Sequence, residues 1–553
     1  MNLRRYNIYF HTHTISGIFI CAILFVIFFA GSYSFFKKDI TAWQSGTTSK
    51  GKENVKVNYR KLIDSLDQKY NMQGRDLSIY FQEQSLNTYV DMSVTKDSTL
   101  APKKKKHQLK NKERGGGRGR RREGDAQYFK YNVIKGADTS SYDKSYDMGE
   151  FLYRLHFLAQ LNAVPIHLGA PFGYLLAGLV AFVFLFALIT GLLLHWDKIV
   201  SNFFVFRPWS KAKTVWTDSH TALGIIGFPY QFIYALTGII LIFNTAIIAP
   251  FNYLYYKGKP GAIYKDLDYT DSREYNYGYS KINKKVDITA YVEHTRNLWH
   301  NGFIQRVMIK NYGDTAMHIV VEGSANKKDN FSGTGRIIYN IQHNKVVYHK
   351  SPLTDVTYID RIRSLIYRLH FGNYGGYGLK ILYFILGMMG CVVIISGILI
   401  WLVGREKNTI PVHKRKFNFW LANIFIAGCM TMFPVTSLTF IAVKIHGATT
   451  REFTFHFYFY GWLLLSIFYI IRKNLRTTTR ETILLGSVLS LLIPVANGIC
   501  SGNWIWKTYA SGATDILIFD LFSITIAAVG LYSFYKIQQR DKQKIALHAL
   551  KTR

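Results

Sequence analysis

Histidine is the residue type whose spacing in this sequence points to chemistry. His13 opens the run His13-Thr14-Ile15-Ser16-Gly17, and His220 opens His220-Thr221-Ala222-Leu223-Gly224. Each is followed by a glycine at the same distance, Gly31 (31 − 13 = 18) and Gly238 (238 − 220 = 18). Tyr153-Arg154-Leu155-His156-Phe157 returns as Tyr367-Arg368-Leu369-His370-Phe371. Further on, Thr190-Gly191-Leu192-Leu193-Leu194 is matched by Ser396-Gly397-Ile398-Leu399-Ile400. The pattern is an internal duplication of one unit: helix, long connecting segment, Tyr-Arg-Leu-His-Phe, helix.

Two copies related by a pseudo-twofold axis along the membrane normal would set His13 against His220 and His156 against His370. Two imidazoles approaching one iron from opposite faces of a flat macrocycle make a bis-histidine haem b, so the expectation is two haems. Gly17 and Gly224, four residues after their histidines, share the histidine face of the helix and leave a slot for the ring. Arg154 and Arg368 are placed to hold haem propionates through bidentate contacts. One histidine at a helix end is more often an interfacial polar residue; four in matched motifs carry the reading.

The remaining histidines are weighed against these. His195 stands at the same end as His13 and His220 and is an alternative axial ligand to either, although its repeat counterpart is Trp401. His11 is two residues from His13, on nearly the opposite helix face, so both cannot serve one haem. His167 is a weaker candidate. His294, His300, His318 and His343 read as surface residues of a loop module. Zinc wants three or four clustered ligands, and His11-Thr12-His13 has neither the spacing nor an accompanying acid.

The elements that position these groups are apolar runs of about 20 residues, the length that crosses a bilayer. Eight are present, at 14–36, 172–194, 223–249, 379–403, 419–443, 455–471, 482–499 and 514–535. The first is long enough to span and no small-residue cleavage site follows it, so it reads as a membrane helix rather than a signal peptide. Lys and Arg concentrate before the first run and after the second, fourth, sixth and eighth, which makes that side, with both termini, cytoplasmic. The long segments 37–171 and 250–378 then lie outside as two small α+β modules. Tyr59–Tyr70 and Val286–Leu298 read as helices. Leu77–Phe81, Ile304–Lys310, Ala316–Glu322, Gly335–Asn340 and Lys345–Tyr348 read as strands. The tract 102–124 is almost devoid of apolar residues and is expected to be a disordered basic insertion.

The fold class expected is therefore an all-α polytopic membrane bundle of about eight helices, the first four a two-fold repeat, with two external α+β modules. Its divisions are 1–36, 37–171, 172–249, 250–378, 379–403 and a C-terminal four-helix region, 404–553. That last region lacks the histidine motifs. It carries Asp520 inside an apolar run, a costly placement that marks a functional candidate or a partner for Lys444. Pro434 and Pro494 fall inside its helices, His446 and His456 at helix ends, and Gly502-Asn503-Trp504-Ile505-Trp506 reads as an interfacial anchor.

Several classes are excluded. The net charge of +34 would suit a nucleic-acid partner, but no helix-turn-helix, zinc-finger or RNA-binding signature accompanies it. Cys21, Cys391, Cys429 and Cys500 form no C-x-x-C pair, which argues against a disulfide framework or an iron–sulfur cluster. Gly115-Gly116-Gly117-Arg118-Gly119 has no strand before it or helix after it and is no nucleotide loop. Without a flavin or nicotinamide fingerprint, an electron donor must be a partner protein, a quinol or a small reductant.

On His13-Thr14…Gly17, Tyr153-Arg154-Leu155-His156, His220-Thr221…Gly224 and Tyr367-Arg368-Leu369-His370, the chain resembles the PepSY-associated transmembrane family over roughly 1–405. The resemblance implies a bacterial inner-membrane protein with haem b, external PepSY-like modules and outward electron flow. It also implies reduction of a ferric siderophore or other iron chelate for iron acquisition. Two competing classes are a metal-chelate transporter, whose histidines bind substrate, and a regulator whose external modules bind a protease.

Overall fold

A run of apolar residues in lipid has no water to satisfy its backbone, so it must close its hydrogen bonds within itself as a helix. The computed structural model of the protein describes residues 2–48, 57–81, 87–100, 126–132, 137–142, 146–166, 171–207, 210–259, 262–268, 271–284, 286–326, 331–447 and 450–551. The basic tract 102–124, with its glycine run, and His167 lie outside them. In chain order the first elements are α1 (Leu3–Ser34), α2 (Lys37–Ser45), α3 (Tyr59–Asp67), β1 (Leu77–Tyr80), β2 (Asn87–Met92), β3 (Gln127–Asn132) and β4 (Ala137–Ser141). Next come α4 (Met148–His156), α5 (Phe172–Leu194), α6 (Ile199–Phe204), α7 (Ala212–Tyr256), α8 (Ala262–Asp266) and α9 (Ile288–Leu298). Strands β5 (Phe303–Lys310), β6 (His318–Ser324), β7 (Thr334–Asn340) and β8 (Lys345–Lys350) follow, then α10 (Tyr358–Phe371) and α11 (Gly376–Gly404). The chain ends with α12 (Val412–His446), α13 (Arg451–Arg472), α14 (Leu475–Ser501), α15 (Ile505–Ala510) and α16 (Thr514–Lys551). They divide into two units, Met1–Thr48 with Asp147–Thr245 and Leu369–Arg553, and Ser49–Tyr146 with Ala246–Arg368.

The first unit is helical. Eight helices among the described residues are long and apolar enough to cross a membrane: α1, α5, the part of α7 from Lys213 to Asn244, α11, α12, α13, α14 and the part of α16 from Thr514 to Gln543. Six contain their expected apolar run whole, and the spans in α1 and α7 stop 2 and 5 residues short of the ends of theirs (36 − 34 and 249 − 244), so the protein is a membrane protein. Large apolar side chains such as Phe19, Phe182 and Leu464 stand exposed on their outer faces. In water such a surface would aggregate; in a bilayer it is the lipid contact. The two shortest runs extend to 22 and 27 residues in α13 and α14 because their ends are capped. Thr450 accepts from Phe453 N, Asn474 accepts from Thr477 N, and α14 closes on Gly502 with φ 68°. Lipid tails give apolar helices no reason to prefer one another, so close packing and polar contacts hold them. Thr431 and Ser466 hydroxyls meet at 2.8 Å across α12 and α13, and Ser437 and Ser490 at 2.9 Å across α12 and α14. Contacts of this kind contribute about 0.6 kcal/mol each.

The second unit is an eight-stranded antiparallel sheet in the order β4-β3-β2-β1-β5-β6-β7-β8. The two long segments, expected as two modules, thus supply strands to one sheet. The join is β1 against β5, with Leu77 opposite Ile309 and Tyr80 opposite Arg306. Strands β5 to β8 fall within two residues of their expected limits, and β2, β3 and β4 are additional. Alternate residues bury Leu77, Ile79, Val307, Ile319, Val321 and Ile337 under α3 and α9, which contribute Leu62, Leu66, Val292 and, just past α9, Trp299. Two glycines make room for the Trp299 indole. A Cβ on Gly323 would stand 2.9 Å from its Cζ3, and one on Gly335 2.8 Å from its Cζ2. The opposite face carries Met308, Val320 and Ile338 with Tyr275 and Tyr348. Beside them Glu322 takes Arg306 at 2.5 Å and Arg336 at 2.8 Å, and Arg336 reaches Asp268 at 2.6 Å.

Candidate functional site

The four motif histidines stand as two facing pairs. His13 on α1 and His220 on α7 have ring centroids 6.0 Å apart, with planes inclined at 70°. His156, the last residue of α4, and His370 on α10 are also 6.0 Å apart, inclined at 45°. His220 and Thr237, which touches His370, are 17 residues apart on α7 (237 − 220), a rise of about 25 Å. The two pairs therefore sit toward opposite sides of a hydrocarbon layer about 30 Å thick.

Each imidazole is oriented through its Nδ1. His13 donates to Ala187 O (2.9 Å), His220 to Val393 O (2.8 Å) and His156 to Ile27 O (2.8 Å). A carbonyl only accepts, so Nδ1 holds the proton and Nε2 the lone pair. His370 Nδ1 lies 2.9 Å from Thr237 Oγ1. The Thr237 hydroxyl already donates to Ile233 O at 2.6 Å, so it accepts from His370 and selects the same tautomer. A metal-binding histidine is held in this way, its far nitrogen donating to a carbonyl or hydroxyl while the near one faces the ion.

Glycines seat three of the rings. A Cβ at Gly191 would stand 2.9 Å from His13 Cε1, at Gly397 3.0 Å from His220 Cε1, and at Gly31 2.5 Å from His156 Nδ1. Each of these glycines lies four residues after the carbonyl that its histidine engages: Ala187, Val393 and Ile27. The carbonyl fixes the ring and the glycine one turn on accommodates it. In the sequence these residues register only as matching positions of the duplication. Gly17 and Gly224, the expected slot residues, face open space, with nothing within 4 Å of an added Cβ.

The spacing can be tested against a shared metal. Metal–imidazole bonds run about 2.0 Å, and a ring nitrogen lies about 1.1 Å from its ring centre, so two trans imidazoles place their centroids about 6 Å apart. Both pairs meet that distance. Among the described residues, no group of three or more His, Cys, Asp or Glu is placed to hold a bare ion. Two nitrogens per pair fit a centre whose other ligands come from a macrocycle.

Other expected residues have other surroundings. His195, just past the end of α5, receives Asn202 Nδ2 on its Nδ1 at 3.2 Å. His11 is exposed, edge-on to Phe10. Arg154 Nε binds Glu150 at 2.6 Å, and the same carboxylate holds Lys37 at 2.5 Å. Arg368, the last residue of the second unit, stacks over Phe331 at 4.5 Å. In that unit His294 contacts the Tyr339 hydroxyl at 2.9 Å and His318 the Ala316 carbonyl at 2.9 Å, while His300 and His343 are exposed. His446 packs on Phe453 and His456 on Tyr460.

Two further features escape the sequence motifs. Arg207 clasps Asp218 through Nε and Nη2, both at 2.9 Å, and pins the start of α7 two residues before His220. Tyr234 on α7 packs its ring 5.1 Å from His370, on Tyr230 and Tyr383, and Tyr230 donates to Tyr383 O at 3.0 Å.

A family model described as "PepSY-associated TM region" matches residues 10–403, a stretch that includes all four paired histidines and ends before α12. Among curated proteins the chain is similar to Transmembrane 9 superfamily member 3 of Saccharomyces cerevisiae, 25% identical over 149 residues. That match covers 25% of this chain and only 20% of the yeast protein.

Proposed function

The chain belongs to the PepSY-associated TM region family, and on that premise we propose that it carries electrons across a bacterial inner membrane to reduce an external ferric chelate such as a siderophore. Both termini are then cytoplasmic and the sheet unit periplasmic. The observation that carries this reading is the spacing of the two histidine pairs, 6.0 Å in each, with every Nδ1 committed elsewhere. His13 and His220 hold one haem b and His156 and His370 a second. Bound there, haem supplies a one-electron carrier near each membrane face.

The residues of the chain do the rest by position. Ala187, Val393, Ile27 and Thr237 keep each imidazole neutral at Nε2, the form that ligates iron. Gly191, Gly397 and Gly31 let the rings lie against backbone. The apolar helices around them exclude water. Reduction to Fe(II) lowers the ion's charge, so the hard oxygen donors of a chelate release it more easily. The donor is a cytoplasmic partner protein, a quinol or a small reductant.

The test is a visible spectrum of the detergent-purified protein before and after dithionite. Sharpened α and β bands are expected. Uptake of iron chelate by a protein with no such bands would replace this reading with the transporter. Thr237→Val, which keeps the shape and removes the acceptor of His370 Nδ1, is expected to weaken haem retention at that pair by about 10–100-fold. Transfer of haem to a scavenging globin measures it; an unchanged release rate would show that the hydroxyl plays no part.

A further inference from the structure

The C-terminal helices hold a buried charged cluster that electron transfer between the histidine pairs does not use. Asp520 on α16 is 0% exposed and Lys444 on α12 4%. The carboxylate accepts from Trp43 Nε1 (2.8 Å) and from Asn497 Nδ2 (2.8 Å), two neutral donors. The Lys444 ammonium donates to the Trp43 carbonyl and lies 4.7 Å over the Trp43 ring. Trp43, on α2, thus stands between two opposite charges that make no direct ion pair. A merely structural pair would close, because an open one leaves both ions poorly compensated away from water. The Asn497 side chain, 0% exposed, also leaves its Oδ1 without a hydrogen-bond partner.

We propose that Asp520 is a proton-exchange site, alternating between carboxylate and carboxylic acid by taking a proton from, and returning it to, water on the external side. A metal cation is disfavoured there because the Lys444 ammonium already supplies the positive charge. The neighbouring charged groups are otherwise engaged: Asp515 accepts from Thr48 at 2.6 Å, and Asp39 on α2 is held by Tyr377 (2.8 Å) and Lys380 (2.9 Å) of α11. Lys507 on α15 and Cys500 on α14 are exposed. With Asp520 ionised the cluster is neutral; with Asp520 protonated it is singly positive. Protonation is therefore favoured by a negative charge arriving nearby. The cluster is linked to the outer pair through α2. Gln44, next to Trp43, accepts from Met148 N at 2.8 Å, and Met148 opens the helix that ends at His156. On the haem reading, an electron at the outer pair draws a proton onto Asp520.

The experiment is infrared difference spectroscopy of the full-length protein in lipid vesicles between about pH 4 and about pH 9. A carboxylic C=O band that appears on the acid side, shifts in heavy water, is lost in Asp520→Asn and changes frequency in Asp520→Glu is expected. If Asp520→Asn does not accumulate, the frequency change in Asp520→Glu decides alone. A spectrum identical in wild type and variants, or a band that follows sodium rather than pH, would overturn the proposal. The redox arm is separate: the potential of the outer haem should fall with rising pH in wild type and lose that slope in Asp520→Asn. A protein with haem but no Asp520 band sinks the proton site alone, and one with the band but no haem sinks the electron-transfer reading alone.

Discussion

His370→Ala is expected to lower the haem content of the purified protein from about two per chain to about one, and to halve the reduced α band. The substitution removes one Nε2 from the His156–His370 pair and leaves His156 without its partner. It leaves the other pair untouched, since His13 and His220 take their orientation from Ala187 and Val393 on α5 and α11. His220→Ala should give the complementary loss. His195→Ala should retain both haems, because that ring is engaged with Asn202 rather than paired across the helices. Haem per chain by pyridine haemochrome, together with the low-temperature α band, separates the three variants. Full haem content in His370→Ala, with the spectrum of wild type, would rule out His156 and His370 as a ligand set.

The second large effect lies in the sheet unit. Trp299 is 0% exposed and fills the space left by Gly323 and Gly335 beneath α9. Trp299→Ala should destabilise this unit by about 3–5 kcal/mol, since strands held by backbone bonds on both sides cannot collapse into so large a cavity. With tenfold per 1.4 kcal/mol, amide protection in β5, β6 and β7 should fall by about 10² to 4 × 10³-fold in hydrogen exchange of the intact protein. The haem spectrum should stay unchanged, because the four paired histidines belong to the other unit. A loss of protection under about tenfold would mean that the indole is not what the core is built on.

What the sequence discloses depends on how local the cause is. The eight spans are legible because length and hydropathy act within one segment, and the histidine pairs because their motifs recur. Three of the four rings are oriented by backbone carbonyls, of Ala187, Val393 and Ile27, which carry no side-chain signal. The Arg154–Glu150 ion pair is legible too: Glu150 lies four residues before Arg154, the spacing of a helical ion pair. Strands β2 and β3, reading Asn87–Met92 and Gln127–Asn132, are too polar to stand out. The β1–β5 join is illegible for a different reason: 309 − 77 = 232 residues and two membrane helices separate Leu77 from its partner Ile309.

That join also dictates an order of assembly. Leu77 and Ile309 can be neighbours only if the chain makes an even number of bilayer crossings between them, and α5 and α7 are the two that do so. Until both have been threaded and β5 has emerged, β1 must wait with one rim of its backbone unmatched, a ready target for mispairing with other chains. The sheet unit is thus completed only after two membrane helices have been inserted, from pieces delivered on either side of them. A ribosome stalled after α7 would leave a nascent chain whose first strands need a chaperone to keep them from aggregating.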